Sequence, residues 1–164
     1  MNISGLIGAV LNLATNKAND LSVTKDDLIL TPQKQFTPGT GNNQMDKLFH
    51  DMRTLADGAN ESLDLAGTLV DMFGTTIIFA KIKAMLIHNL SATQTLTIGG
   101  GATPFINWVG DATDVVKIPP NGMLLLVAPL AGFAVTADTG DILKIANSAG
   151  AACDYQIALA GTSA

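Results

Sequence analysis

The sequence predicts a mainly-β protein, an antiparallel β-sandwich or jelly roll preceded by an N-terminal helix and an extended arm. Three observations carry that expectation. From residue 45 onward, short runs rich in β-branched and aromatic residues alternate with turn signals at close intervals. Met123 to Val127 is almost wholly apolar, the pattern of a strand covered on both faces. Charged residues make up 14% of the chain against 48% hydrophobic, whereas a globular domain usually carries about 25% charge.

The 164 residues suit one domain with an appendage, at about 150 residues per domain. Disorder needs few apolar side chains and dense charge, so this composition excludes it. The net charge of −5 and a pI near 4.6 repel a phosphate backbone, and no nucleic-acid partner is expected. From Met85 to the last residue the only charged side chains are Asp111, Asp114, Lys117, Asp138, Asp141, Lys144 and Asp154. A solitary soluble domain normally coats itself with charge. Either this half is covered by Thr, Asn, Ser and Gly, or it faces other polypeptides. The rarity of large apolar patches on monomers favours the second.

Cys153 is the only cysteine, so neither an internal disulfide nor a cysteine metal knuckle is available, and a small buried side chain beside Tyr155 is expected. The first cation is Lys17, after the N-terminal apolar positions, which does not fit a secretory signal. No apolar run approaches the ~20 residues that cross a bilayer. No membrane partner is expected, and assembly in a cytoplasm is.

The chain divides near residue 44, into an N-terminal helix and arm (1–44) and a β domain (45–164). Ile3, Leu6, Ile7, Val10 and Leu11 recur at helical spacing. Gly5 and Gly8 weaken that helix by about 1 kcal/mol each, and so short a helix must pack on something, its own domain or another subunit. A short strand over Asp27 to Leu30 follows. Pro32, Pro38, Gly39 and Gly41 then mark an extended arm around Phe36.

Within the β domain, strands are expected over Lys47–Leu55, Ser62–Leu65, Thr75–His88, Leu96–Ile98, Phe105–Val109, Val115–Ile118, Met123–Val127, Phe133–Thr136, Ile142–Ala146 and Ala152–Ala160. One internal echo is visible. Asp111-x-x-Asp114 and Asp138-x-x-Asp141 are each followed by two aliphatic residues, Lys and Ile, an Asp turn feeding a strand.

No catalytic constellation emerges. His50 and His88 stand alone in strands, and Asp51, next to His50, points to the opposite face. No Gly-x-Ser-x-Gly elbow presents a nucleophile. The paired aspartates suit turn capping better than calcium, since neither follows an EF-hand pattern. Glu61 is the only glutamate. Gly99-Gly100-Gly101 lacks the Lys-Ser/Thr of a phosphate loop. Trp108 is open to three roles: core, subunit interface or ligand platform. No cofactor and no metal are expected.

Three stretches nevertheless form a familiar cadence. Met52 to Gly67, containing Asp57-Gly58-Ala59-Asn60-Glu61-Ser62, resembles small virion proteins of tailed bacteriophages. So do Lys117-Ile118-Pro119-Pro120-Asn121-Gly122 with the apolar run behind it, and Gly132 to Asp141. The resemblance spans residues 45–164. It implies a head-associated protein, either a capsid cement (decoration) protein or the base of a head fibre, commonly trimeric. The expected partners are then the major capsid protein and further copies of the chain, on a phage head assembled in the host cytoplasm. The expected interface residues are Leu6, Ile7, Val10, Leu11 and Phe36 of the arm, with Trp108 and Phe133 in the core or the oligomer seam. A carbohydrate- or receptor-binding module is the alternative.

Overall fold

The computed structural model describes residues 2–164 and is all-β; among the described residues there is no helix. Fourteen strands follow in order: β1 (Gly5–Gly8), β2 (Leu11–Ala18), β3 (Val23–Leu30), β4 (Gln33–Pro38), β5 (Gln44–Met45), β6 (Lys47–Leu55) and β7 (Asn60–Asp64). Then come β8 (Lys81–Asn89), β9 (Leu96–Gly99), β10 (Val115–Ile118), β11 (Met123–Val127), β12 (Phe133–Ala134), β13 (Ile142–Asn147) and β14 (Cys153–Thr162).

The expected N-terminal helix is replaced by strand. Gly5 pairs with Phe36, Gly8 with Gln33, Leu11 with Leu30 and Ala18 with Val23, all in one uninterrupted antiparallel register. An Ala9 N–H donated to the Pro32 carbonyl bridges the short gap between the two halves. Residues 5–36 are thus one long β-hairpin whose 14-residue arm spans about 45 Å at the usual strand rise. A helix over residues 3–11 would be too short to stand alone and would carry two glycines. The hairpin satisfies the same backbone groups across the strands instead. Gly8 is useful there: a Cβ would collide with the Pro32 carbonyl.

The rest of the chain forms two main sheets. One has the order β10-β9-β13-β7; the other runs β11-β8-β14-β6, with β12 also pairing with β8. Every pairing in them is antiparallel. The Asp turns of the echoed motif lead into β10 and β13, which flank β9 on its two sides.

Alternation along these strands builds a single core from both sheets. Leu63, Ile98, Ile118 and Ile145 come from the first, and Phe49, Ile87, Tyr155, Ile157 and Leu159 from the second. Cys153 is buried there beside Tyr155, and Asn89 accepts its S–H. A smaller second cluster joins Ile3, Phe36, Met45, Ala84 and Ala160, fastening the base of the hairpin to the outer side of the second sheet. There β4 also pairs in parallel with β5.

Two expected strands are irregular. Thr75–Ala80 is a connecting segment before β8, with Ile77 N–H donating to Leu69 O and Phe79 N–H to Leu65 O. Phe105–Val109 is a turn, closed by Val109 N–H to Ile106 O. In both, the apolar residues reach the core from loop backbone, because Ile77, Phe79 and Phe105 are buried without ladder partners.

Candidate functional site

The strongest polar cluster sits where β6, β7 and β14 meet. The Tyr155 hydroxyl donates to Glu61 Oε1 at 2.6 Å, and Arg53 Nε donates to Glu61 Oε2 at 2.8 Å. Arg53 Nη1 also reaches Asp51 Oδ2 at 2.9 Å. Burial works against the Arg53 charge, yet Glu61 and Asp51 together raise its pKa. Burial, aided by the Glu61 carboxylate, pushes the Tyr155 hydroxyl well above its ordinary value. Both Glu61 oxygens are occupied, and the proton on Tyr155 is held tightly. A group that exchanges protons with a substrate needs the reverse, a free lone pair and a pKa near the working pH. The cluster locks strands together.

Other polar side chains serve loops in the same way. Asn89 Nδ2 donates to the carbonyls of Gln94, Ile118 and Pro119, clamping two turns together. Lys83, only 2% exposed, donates from Nζ to the Leu130 carbonyl. Burial first, and the nearby Lys81 charge second, lower its pKa. Cys153 is raised by burial, which keeps its thiol protonated and unreactive.

The aspartate turns close on themselves. Asp111 Oδ1 accepts from Thr113 N–H, and Asp141 Oδ2 accepts from Asp138 N–H at 2.7 Å. The Thr113 N–H lowers the Asp111 pKa. Among the described residues, no three His, Cys, Asp or Glu side chains gather as metal ligands. Gly99, Gly100 and Gly101 all have positive φ in a loop with no helix behind it.

The apolar surface has the organisation that the polar groups lack. On the outer side of the second sheet, register places three rows of side chains across β6, β14, β8 and β11. Leu48, Ala160, Ala84 and Val127 form the first, and His50, Ala158, Leu86 and Leu125 the second. Met52, Gln156, His88 and Met123 form the third. The hairpin base covers the first row through Ile7 and Phe36. The other two rows are open, with Met123 67% exposed. None of the twelve positions carries Asp, Glu, Lys or Arg. Between the hairpin and this face runs an apolar groove of about 740 Å³, walled by Leu6, Val10, Leu48, Leu86 and Leu125. Beyond β6 the Asp71–Gly74 turn, held by Phe73 and Thr75 N–H groups donating to Asp71 Oδ1, lifts Phe73 to 80% exposure.

The distal hairpin, β2 and β3, is exposed at all sixteen of its residues. Leu11 lies opposite Leu30 and Leu13 opposite Leu28, so four leucines share one face next to the hairpin base. All four are exposed, and none belongs to either core cluster.

The expected interface residues therefore separate. Leu6, Val10 and Leu11 are exposed, and Ile7 is half-buried against the second cluster. Phe36 is fully buried inside that cluster. Trp108 and Phe133 lean half-buried on the main core, with the Trp108 indole N–H donated to the Phe105 carbonyl. Leu13, Leu28, Leu30, Leu86, Leu125, Met52 and Met123 were not singled out from sequence. The period-two spacing of Leu11 with Leu13, and of Leu28 with Leu30, is the signal that finds the hairpin face. Comparison with family models, curated proteins and solved structures finds no match to this chain.

Proposed function

We propose that the chain is a non-enzymatic structural subunit of a phage head, a β-sandwich that self-associates as a trimer and cements neighbouring major capsid subunits. The two antiparallel sheets sharing one core support the sandwich. The resemblance of residues 45–164 to head-associated virion proteins supports the location. The observation that carries self-association is surface area. The chain exposes 8994 Å², whereas a folded monomer of 16.9 kDa exposes about 7,700 Å² on the general mass scaling. The excess of about 1,300 Å² exceeds the roughly 800 Å² that one partner contributes to a standard interface. Nine of the eighteen exposed large apolar side chains lie on the hairpin, between Leu6 and Leu30.

The mechanism is interfacial burial. A subunit that binds only the assembled lattice favours it by mass action, and one that touches two capsid subunits opposes their separation. The test is co-sedimentation with heads assembled from the major capsid protein of the same phage. Saturable binding and a raised temperature of head disruption are expected. An associated protein that stays in the supernatant at saturating concentration overturns the capsid assignment.

A further inference from the structure

The open sheet face and the four-leucine hairpin face are two apolar surfaces that one chain does not bring together. We infer that the distal hairpin of one copy lies across the outer face of the β11-β8-β14-β6 sheet of the next copy, in a closed ring. This rests on the self-association proposed above and adds which surfaces meet.

Four observations converge on a second copy as the occupant. The dimensions agree: a two-stranded hairpin is about 10 Å wide and β2–β3 about 27 Å long, while the four-strand face is about 19 Å across. A chain that donates one hairpin face and accepts another takes part in two such contacts. The charges agree as well. The open rows hold no Asp, Glu, Lys or Arg, and the hairpin's Lys17, Asp20, Lys25, Asp26 and Asp27 lie past its leucines towards the tip. Lys25 and Asp27 point away from the leucine face, while Lys17 and Asp26 follow the leucines on it, towards the tip.

The third observation is β11. Its sequence, Met-Leu-Leu-Leu-Val, is that of a strand covered on both sides, yet only Leu124 and Leu126 meet the chain's own core. On its other side Val127 meets the hairpin base, while Met123 and Leu125 lie in the two open rows. The fourth is the hairpin itself. A two-stranded ribbon is marginal in water, and this one has eight paired positions, every residue of them exposed. Donor and acceptor lie on different parts of the surface, so the contact is head-to-tail. A head-to-tail contact closes into a ring or grows into a fibre, and a soluble product is a ring.

Exposed single-cysteine variants test this directly, because Cys153 is buried and does not compete. Leu13→Cys and Met123→Cys chains carrying different tags are co-expressed and treated with a short bis-maleimide. The expected result is a dimer holding both tags, absent when either chain is expressed alone. Met52→Cys, at the far end of the third row, replaces Met123→Cys in a parallel arm. Dimers formed only between two Leu13→Cys chains would mean that hairpins pair with hairpins; that overturns the inference and leaves self-association standing. Light scattering that finds wild-type monomers overturns both.

Discussion

The two ends of this chain treat their apolar residues in opposite ways. In the body, Ile87, Ile157 and Leu159 are buried in one core. In the distal hairpin, Leu13, Ile29 and Val23 are more than half exposed on a ribbon with no layer beneath it. The body has the means of its own stability, since each buried aliphatic side chain contributes about 1.5–3 kcal/mol. The hairpin lacks them, since all sixteen residues of β2 and β3 are exposed.

The largest effect expected from this contrast is at Ile157. Ile157→Ala should cost about 2–5 kcal/mol in urea unfolding followed by Trp108 fluorescence. Leu13→Ala, assayed at dilutions where chains are separate, should stay within about 0.5 kcal/mol of wild type. Equal costs would erase the distinction between body and arm. Phe36 is the rivet between them. Phe36→Ala should cost about 3–5 kcal/mol locally, read by hydrogen exchange as lost protection in β1 and β4 while β8 and β14 keep theirs. Loss of protection in all four strands would show that the hairpin base and the body unfold as one unit.

Tyr155 gives a smaller effect with a definite pH signature. Removing its hydroxyl leaves Glu61 Oε1 without its donor, and Tyr155→Phe should cost about 1–3 kcal/mol near neutral pH. Burial, and then Glu61, raise the folded pKa of Tyr155 above its ordinary 10.0. The unfolded chain releases that proton near pH 10.0 while the folded chain keeps it. Stability is therefore full below that pH and falls above it. The alkaline decline should be shallower in Tyr155→Phe; an unchanged slope would place its origin elsewhere. The mildest probe is proteolysis. Trypsin should cut at Lys17 and Lys25 in dilute protein, and more slowly as concentration rises.

The β character of the body was legible because strand periodicity is local: β6, β10 and β11 fall where alternation and turns place them. The hairpin was misread for a physical reason. Ile3, Ile7 and Leu11 satisfy a helical period and a strand period alike, and a short stretch cannot discriminate between them. What decides is the partner strand, whose Gln33–Phe36 segment lies 25 or more residues away in sequence beside Gly5–Gly8. Long-range pairing leaves no local trace. Pro32 and Pro38 did mark extended backbone, and both fall at strand limits, where a missing N–H costs little. The scarcity of charge after Met85 gives the expectation of a covered surface, and the open apolar rows that could carry one depend on the order β11-β8-β14-β6, which has no local trace in sequence.

The most direct measurement is the mass in solution of two proteins by light scattering at micromolar concentration. One is the full chain; the other has residues 9–32 replaced by Asn-Gly, a turn that joins β1 to β4 and preserves Phe36. The full chain should scatter as a discrete oligomer, and the shortened one as a folded monomer with the same far-ultraviolet spectrum per body residue. A full chain that scatters as a monomer, or a shortened chain that stays fully associated, would contradict the account.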